Sequence, residues 1–194
     1  MTFKTSADQF AKSLNELDLT ERGEKNLPPV DSWHPTVSGE IDIRINREGV
    51  WFYQNEEMTR KAMVKLFSTI LRLDDDHRYY LVSPVEKMLI TVDVAPFSIV
   101  DLRVTQVEGK QAIIFKTNID EHVVLKDSQQ FVVEKNAKEE PIPLVTVRKN
   151  LKGLLNRNVF YQLIDLAEQY EVDGQEYIGV WSCDNFYPIG IDSE

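Results

Sequence analysis

The segment Gly39–Leu73, GEIDIRINREGVWFYQNEEMTRKAMVKLFSTILRL, decides the fold of the first half of the chain. From Ile41 to Ile45, isoleucines alternate with polar residues, which is typical of a half-buried strand. Glu48-Gly49 favours a tight turn, and Val50 to Tyr53 predicts a returning strand rich in aromatic side chains. A hairpin of this size is not stable alone, so a further element must cover its apolar face.

The second part of the segment predicts that covering element. From Lys61 to Leu73, apolar side chains recur at helical spacing, and we expect Leu66, Phe67 and Ile70 to pack on the hairpin. Together the hairpin and the helix predict a small α+β unit.

The rest of the chain repeats these elements. Tyr79 to Thr117 predicts successive strands, and Val123–Leu125 with Phe131–Val133 predicts a further hairpin. A second helix is predicted from Asn156 to Tyr170, and a final strand from Tyr177 to Trp181. The apolar stripe expected on this helix consists of Phe160, Leu163, Ile164 and Ala167.

A faint internal repeat relates the two halves. Shifting the sequence by 97 residues aligns Arg60 with Arg157 and Leu66 with Leu163, and in both copies a hairpin precedes a helix. The order of elements favours a duplication more than the few identities do, so the sequence leaves a true duplication open. We expect a first α+β subdomain over residues 28–97 and a second over residues 98–194.

The first 27 residues are expected to be an appendage. Ser6 to Gln9 is typical of a capping box at a helix start, and a narrow apolar stripe extends to Leu17. A polar linker that ends in two prolines follows. We therefore predict an N-terminal helix that the subdomains do not need for folding.

Composition favours a folded cytoplasmic protein. The 194 residues carry a net charge of −10 without a long basic run, which disfavours nucleic acid. The start of the chain has no apolar core typical of a signal peptide, and no stretch is apolar enough to span a membrane. The single cysteine, Cys183, is consistent with a reducing compartment.

Five short stretches together resemble a bacterial family known as domain of unknown function 1285. They are Pro28–Pro35, Gly39–Ile45, Gly49–Tyr53, Lys65–Ser68, and Pro84–Lys87 followed by Ala95–Phe97. The resemblance extends from about Leu27 to Ile191. It implies two related α+β subdomains of antiparallel strands, each with a packed helix, the second loosely similar to a pleckstrin-homology domain. For function it implies a ligand site between subdomains and a regulatory role, with no catalytic mechanism.

Two arginines predict an anion site. Arg60 and Arg157 stand at or just before helix starts, where free N–H groups and the helix dipole already favour negative charge. A bound anion would relieve the unfavourable placement of a cation there. The alternative is a structural ion pair with an acidic residue such as Asp42 or Glu86.

The hairpin offers a second set of candidates. Asp42 and Arg44 share one face of the first strand, and Trp51 and Tyr53 share one face of the returning strand. One interpretation is that all four side chains line a ligand cleft. The alternative is that Asp42 and Arg44 face solvent while Trp51 and Tyr53 fill the core. With Arg60, all of them match positions of the family motif, which favours the cleft. Glu86 and Lys87 complete the candidate ligand set, although neighbouring strand residues point to opposite faces and an ion pair at a turn or sheet edge is the simpler interpretation.

Two further patterns are weaker. Asp74 to His77 places carboxylates at alternate positions, but the loop has neither the glycine nor the distal glutamate of a calcium site, which favours a solvated turn. Nothing in the spacing places a base beside Cys183. We therefore predict no metal, no cofactor and no catalytic residue.

These observations favour a non-catalytic binding module for a small anionic ligand or a protein partner, without nucleic acid or membrane. Two alternatives stay open. One is an enzyme that uses Asp42, Glu86 and Arg60 in the same cleft. The other is a structural interaction subunit, which would expose an apolar patch of several hundred Å².

Overall fold

The computed structural model describes residues 27–107, 109–172 and 174–191. The chain divides into two compact units with the boundary between Val94 and Ala95. The predicted N-terminal helix from Ser6 to Leu17 lies outside the described residues.

The described part of the first unit, residues 27–94, forms one six-stranded sheet with a short helix. A 3-10 turn at Val30–Ser32 precedes the first strand. The elements that follow are β1 (Val37–Ile45), β2 (Trp51–Tyr53), β3 (Glu56–Glu57), α1 (Lys61–Thr69), β4 (Leu71–Leu73), β5 (Tyr79–Val82) and β6 (Glu86–Val92). The strand order is β3-β2-β1-β6-β5-β4, and β1 pairs with β6 in parallel. The expectation of purely antiparallel strands is therefore wrong for this unit.

The predicted hairpin is confirmed. Ile41, Ile43 and Ile45 are buried while the residues between them are exposed, and β1 pairs with β2 in the antiparallel sense. The α1 helix places Phe67 in the core, where its ring lies 6.3 Å from the ring of Trp51. Ile70 is also fully buried as expected, whereas Leu66 is only half-buried, so Leu66 is the one expected core position on this helix that is wrong.

The α1 helix ends at Thr69, four residues before the predicted end at Leu73. The hydroxyls of Ser68 and Thr69 donate to carbonyl oxygens three residues back, each at 2.7 Å, which competes with continued helix. Leu71–Leu73 then gains a full antiparallel ladder with β5. Tertiary pairing outweighs the local helical pattern.

The second unit contains two sheets and one helix. Its elements are β7 (Phe97–Val107), β8 (Lys110–Thr117), β9 (His122–Val124), β10 (Phe131–Lys135), β11 (Pro141–Arg148), β12 (Leu151–Leu155), α2 (Arg157–Asp165), β13 (Glu168–Val172), β14 (Gln175–Ser182) and β15 (Asn185–Ile191). The larger sheet has the order β10-β11-β12-β7-β8-β9, with β12 parallel to β7, and the smaller has the order β13-β14-β15. One core cluster joins both sheets to α2 through Ile99, Phe115, Leu163, Val180 and Tyr187.

Three predictions for this unit are wrong. The segments Val123–Leu125 and Phe131–Val133 do not pair as a hairpin, because β9 and β10 lie at opposite edges of the larger sheet. The helix predicted up to Tyr170 ends at Asp165, and Glu168–Val172 becomes a strand that pairs with β14. Ile164, expected in the core, is 39% exposed because Val159 and Leu163 form the buried stripe.

Candidate functional site

The predicted ligand residues of the first unit are distributed among separate local structures. Arg44 donates to both carboxylate oxygens of Asp93, from Nε at 2.9 Å and from a terminal nitrogen at 2.7 Å. These hydrogen bonds raise the pKa of Arg44 and lower the pKa of Asp93. The guanidinium of Arg44 is therefore engaged by protein.

Trp51 and Tyr53 have different surroundings. Trp51 is 2% exposed and packs against Phe67, so it lies in the core. Tyr53 is half-buried and lines an open groove of about 430 Å³ together with Asp42. The other lining residues are Glu40, Ile41, Gln54, Leu89, Ile90 and Thr91. Two carboxylates and no cationic side chain line this groove, which disfavours an anion there. Neither Arg60 nor Glu86 lines it.

Arg60 occupies the N-cap position of α1. Its side chain makes no capping hydrogen bond and is exposed. Across residues 27–107, 109–172 and 174–191, no side chain forms an ion pair with Arg60, so the alternative of a structural pair with Asp42 or Glu86 is wrong.

Arg157 is the first residue of α2, directly after the N-cap Asn156. The Asn156 side chain accepts a hydrogen bond from the Val159 amide at 2.8 Å. Arg157 Nε donates to the Tyr161 hydroxyl at 3.1 Å, a hydrogen bond that raises the pKa of Arg157. Arg157 thus turns along its own helix.

Lys87 belongs to a charged network at the sheet of the first unit. Its ammonium donates to Asp74 at 2.8 Å and lies 4.3 Å from the centre of the Tyr80 ring. Asp74 also accepts hydrogen bonds from two guanidinium nitrogens of Arg72. The third nitrogen of Arg72 donates to the carbonyl oxygens of Val30 and Trp33, each at 2.9 Å. The network fastens the segment before β1 to the sheet.

The charge state of Asp74 depends on these partners. Burial raises the pKa of Asp74, but the hydrogen bonds from Arg72 and Lys87 outweigh burial, and the net pKa lies below the ordinary value of 3.8. Glu86 precedes Lys87 on β6, and its carbonyl oxygen accepts from the Ser83 amide at 2.8 Å. This part of the first unit is a structural network rather than an open ligand site.

A larger groove lies on the second unit, with a volume of about 850 Å³. Its walls come from the segments 122–130 and 146–149 and from the turn between β14 and β15. The lining residues are His122, Val123, Val124, Lys126, Asp127, Gln129, Gln130, Thr146, Val147, Arg148, Lys149 and Cys183. Three permanent cations and one carboxylate line the groove, the reverse of the balance in the first unit. We call it the basic groove.

Arg148 is held in place in the basic groove by two contacts. Its side chain is 13% exposed, forms an ion pair with Glu121, and lies over the Phe97 ring at 4.9 Å from the ring centre. Burial lowers the pKa of Arg148, and the adjacent Glu121 opposes this effect. An arginine still carries its charge at neutral pH, so the groove holds a positioned guanidinium.

Hydrogen bonds fix the walls of the basic groove. The side-chain oxygen of Gln130 accepts from the Lys126 amide at 3.0 Å, and the Gln130 amide group donates to the Thr146 carbonyl at 3.3 Å. Asn185 donates to the Lys126 carbonyl at 2.6 Å, which attaches the β14–β15 turn to the same wall. The groove is built by the fold before any ligand arrives.

Sequence patterns did not identify this groove. Its cations come from two segments about twenty residues apart, and only the pairing of β10 with β11 brings them together. The Arg148-Lys149 pair was the visible signal, although two basic residues alone are ordinary for a surface turn.

Exposed apolar side chains concentrate on one short segment of the second unit. Tyr161, Ile164, Leu166, Tyr170 and Val172 are each 38–49% exposed and fall within twelve residues of α2 and β13. This run is the described feature closest to the apolar patch expected for an interaction subunit.

The described residues contain neither a membrane-spanning helix nor a metal-binding cluster. Neither described helix is both long and apolar enough to cross a membrane. Within the same residues, no group of three or more His, Cys, Asp or Glu side chains could hold a metal ion.

Comparisons with known proteins agree with the division into two units. Residues 28–95 match the family model "Domain of unknown function (DUF1285), N-terminal domain", and residues 96–189 match "Protein of unknown function (DUF1285), C-terminal domain". A search of curated proteins found no match.

Two solved structures are similar to this chain. A DUF1285 family protein from Silicibacter pomeroyi DSS-3 is 39% identical, with a TM-score of 0.77 over 90% of this chain and 93% of that one. A DUF1285 family protein from Shewanella baltica OS155 is 26% identical, with a TM-score of 0.49 over 63% of this chain and 90% of that one.

Proposed function

This chain belongs to the DUF1285 family, and we propose that it is a non-catalytic, regulatory binding module whose ligand is a small anion held in the basic groove. The observation that carries the proposal is the local charge of that groove. Lys126, Arg148 and Lys149 line one concave surface on a protein whose net charge is −10.

Electrostatics favours an anion at this place. Elsewhere the negative surface repels anions, so a concave site with cations attracts them selectively. Arg148 is already oriented by Glu121 and Phe97, so it loses little conformational freedom when a ligand binds. The guanidinium of Arg148, although paired with Glu121, and the ammonium groups of Lys126 and Lys149 belong to the donor types that bind a carboxylate or a phosphate.

The same proposal moves the site away from the residues that the sequence favoured. Arg44 and Lys87 bind protein carboxylates and, unlike the ion-paired Arg148, line neither groove. The groove that contains Asp42 and Tyr53 has acidic side chains. Arg60 and Arg157 are exposed at helix starts and line neither groove.

Two expectations accompany the proposal. The resemblance to a pleckstrin-homology domain fits a second unit in which a six-stranded sheet is followed by a helix. The single cysteine favours action in the cytoplasm.

A thermal-shift screen tests the proposal. Carboxylates, phosphorylated metabolites, nucleotides and inorganic phosphate are added in turn, and a compound that binds only the folded chain raises the unfolding midpoint. At about 100 times Kd, the stabilisation is about 2.7 kcal/mol. A panel in which no anion raises the midpoint contradicts the proposal.

Two charge-reversal variants, one inside the basic groove and one outside it, test where the anion binds. Lys126→Glu places a carboxylate in the basic groove, whereas Lys138→Glu makes the same charge change at an exposed turn of the same unit outside the groove. We expect Lys126→Glu to weaken anion binding at least tenfold and Lys138→Glu to change it by less than about twofold. Equal losses for the two variants would show that net charge, rather than the groove, governs binding.

A further inference from the structure

The second unit contains a buried hydroxyl without a partner. Tyr187 is fully buried, and no described group forms a hydrogen bond with its hydroxyl oxygen. A buried hydroxyl without a hydrogen bond costs about 1–3 kcal/mol of stability, so such groups are rare and call for an explanation.

Tyr187 lies close to the basic groove in the fold. It is the third residue of β15, the strand that follows the turn where Cys183 lines the groove. Asn185, two residues earlier, donates to the carbonyl of Lys126, another lining residue. Val123 lines the groove and also belongs to the core cluster that contains Tyr187.

The groups that interact electrostatically with Tyr187 also belong to the basic groove. Burial, followed by Asp127 and Cys183, raises the pKa of Tyr187 to about 12. Asp127 and Cys183 are both lining residues of the groove. The phenol therefore keeps its proton at neutral pH and acts as a hydrogen-bond donor.

We propose that the Tyr187 hydroxyl donates a hydrogen bond to an oxygen atom of the ligand in the basic groove, and this inference rests on the proposed function. The ligand class is then a branched small oxyanion. One acidic group binds the cations, and a second oxygen accepts the hydrogen bond from the hydroxyl. A compact anion such as inorganic phosphate binds the cations alone.

Tyr187→Phe separates this role from a purely structural one. Removal of an unsatisfied buried hydroxyl leaves the unfolding midpoint of the free protein unchanged or higher. In calorimetric titrations, we expect the variant to lose about three- to tenfold in affinity for citrate, a branched oxyanion, and to keep its affinity for inorganic phosphate. Tyr170→Phe is the matched control, because Tyr170 lies on the same small sheet but is exposed to solvent, whereas Tyr187 is buried.

Several results would overturn the inference. Citrate affinity that is unchanged in Tyr187→Phe would remove the hydroxyl from the site, and a lowered midpoint with unchanged binding would assign it to a buried water. An equal loss for citrate and phosphate would indicate general distortion of the groove. If the wild-type chain binds neither probe, the inference fails together with the proposed function, whereas any result confined to Tyr187→Phe leaves the proposed function intact.

Discussion

The two units share an order of elements but close their sheets differently. In both, a hairpin leads into a nine-residue helix and then into three antiparallel strands. In the first unit the last of those strands, β6, returns to pair with β1 and completes one sheet. In the second unit β10 pairs with β11 instead, and β13 to β15 form a separate sheet.

The difference has a simple origin in chain order. Four strands, β7 to β10, precede the hairpin of the second unit, and β10 takes the place beside the leading hairpin strand that β6 takes in the first. The same strand, β10, is followed directly by the hairpin whose far end carries Arg148 and Lys149. The additional strands thus create the basic groove, whereas the groove described on the first unit is lined by two carboxylates.

The largest expected effects concern the two helices. Phe67→Ala should lower the free energy of unfolding by about 3–5 kcal/mol, and Leu163→Ala should lower it by about 2–5 kcal/mol, because both side chains are fully buried. Leu66→Ala and Ile164→Ala should cost clearly less, since those side chains are half-buried and 39% exposed. Urea denaturation measures each change, and amide hydrogen exchange assigns it to one unit.

These four variants also determine the register of the repeat. Burial aligns Phe67 with Leu163, an offset of 96 residues, whereas the sequence comparison suggested 97. A larger loss for Leu66→Ala than for Phe67→Ala would restore the offset of 97 and contradict the burial pattern.

The next prediction concerns how the charged network around Asp74 in the first unit makes stability depend on pH. Because the pKa of folded Asp74 lies below its ordinary value of 3.8, its contribution to stability is complete above that value and is lost as pH falls through the folded pKa. Asp74→Asn should therefore lower stability at neutral pH and flatten the decrease of stability between about pH 5 and 2. A variant that retains the wild-type pH dependence would show that Asp74 is not the titrating group.

Smaller effects are expected at the two helix starts. Asn156 caps α2 through the Val159 amide, while Arg60 provides no side-chain cap to α1. Asn156→Ala should cost about 0.5–2 kcal/mol, and Arg60→Asn should stabilise the first unit by a similar or smaller amount. Thermal unfolding measures both, and a destabilised Arg60→Asn would mean that the arginine has a partner after all.

Local sequence patterns predicted correctly those elements that depend on residues close together in the chain. Alternating isoleucines predicted β1, and the spacing around Phe67 predicted that a helix covers the hairpin. Both helix ends were wrong because Leu71–Leu73 and Glu168–Val172 follow a helical pattern yet gain more from pairing with distant strands. Such pairing depends on the whole sheet and leaves no local signal.

The candidate site shows the same limitation. The sequence predicted Arg60 and Arg157 as ligand residues because a helix start can be recognised in a single sequence. The cations of the basic groove come together only because β10 pairs with β11, so they have no common spacing in the sequence. The family resemblance identified the two units. Of its motif residues in the first unit, Trp51 packs in the core and Arg44 binds Asp93, whereas Asp42 and Tyr53 line the acidic groove and Arg60 is exposed.

Titration of the ¹⁵N-labelled chain with citrate, followed by amide chemical shifts, tests most directly the claim that the second unit binds the anion. We predict saturable shifts in residues 122–130 and 146–149 and at Cys183, with the hairpin around Asp42 and the start of α1 at Arg60 unaffected. Saturable shifts centred on Arg60 and the Asp42 hairpin, with the basic groove unchanged, would contradict the account.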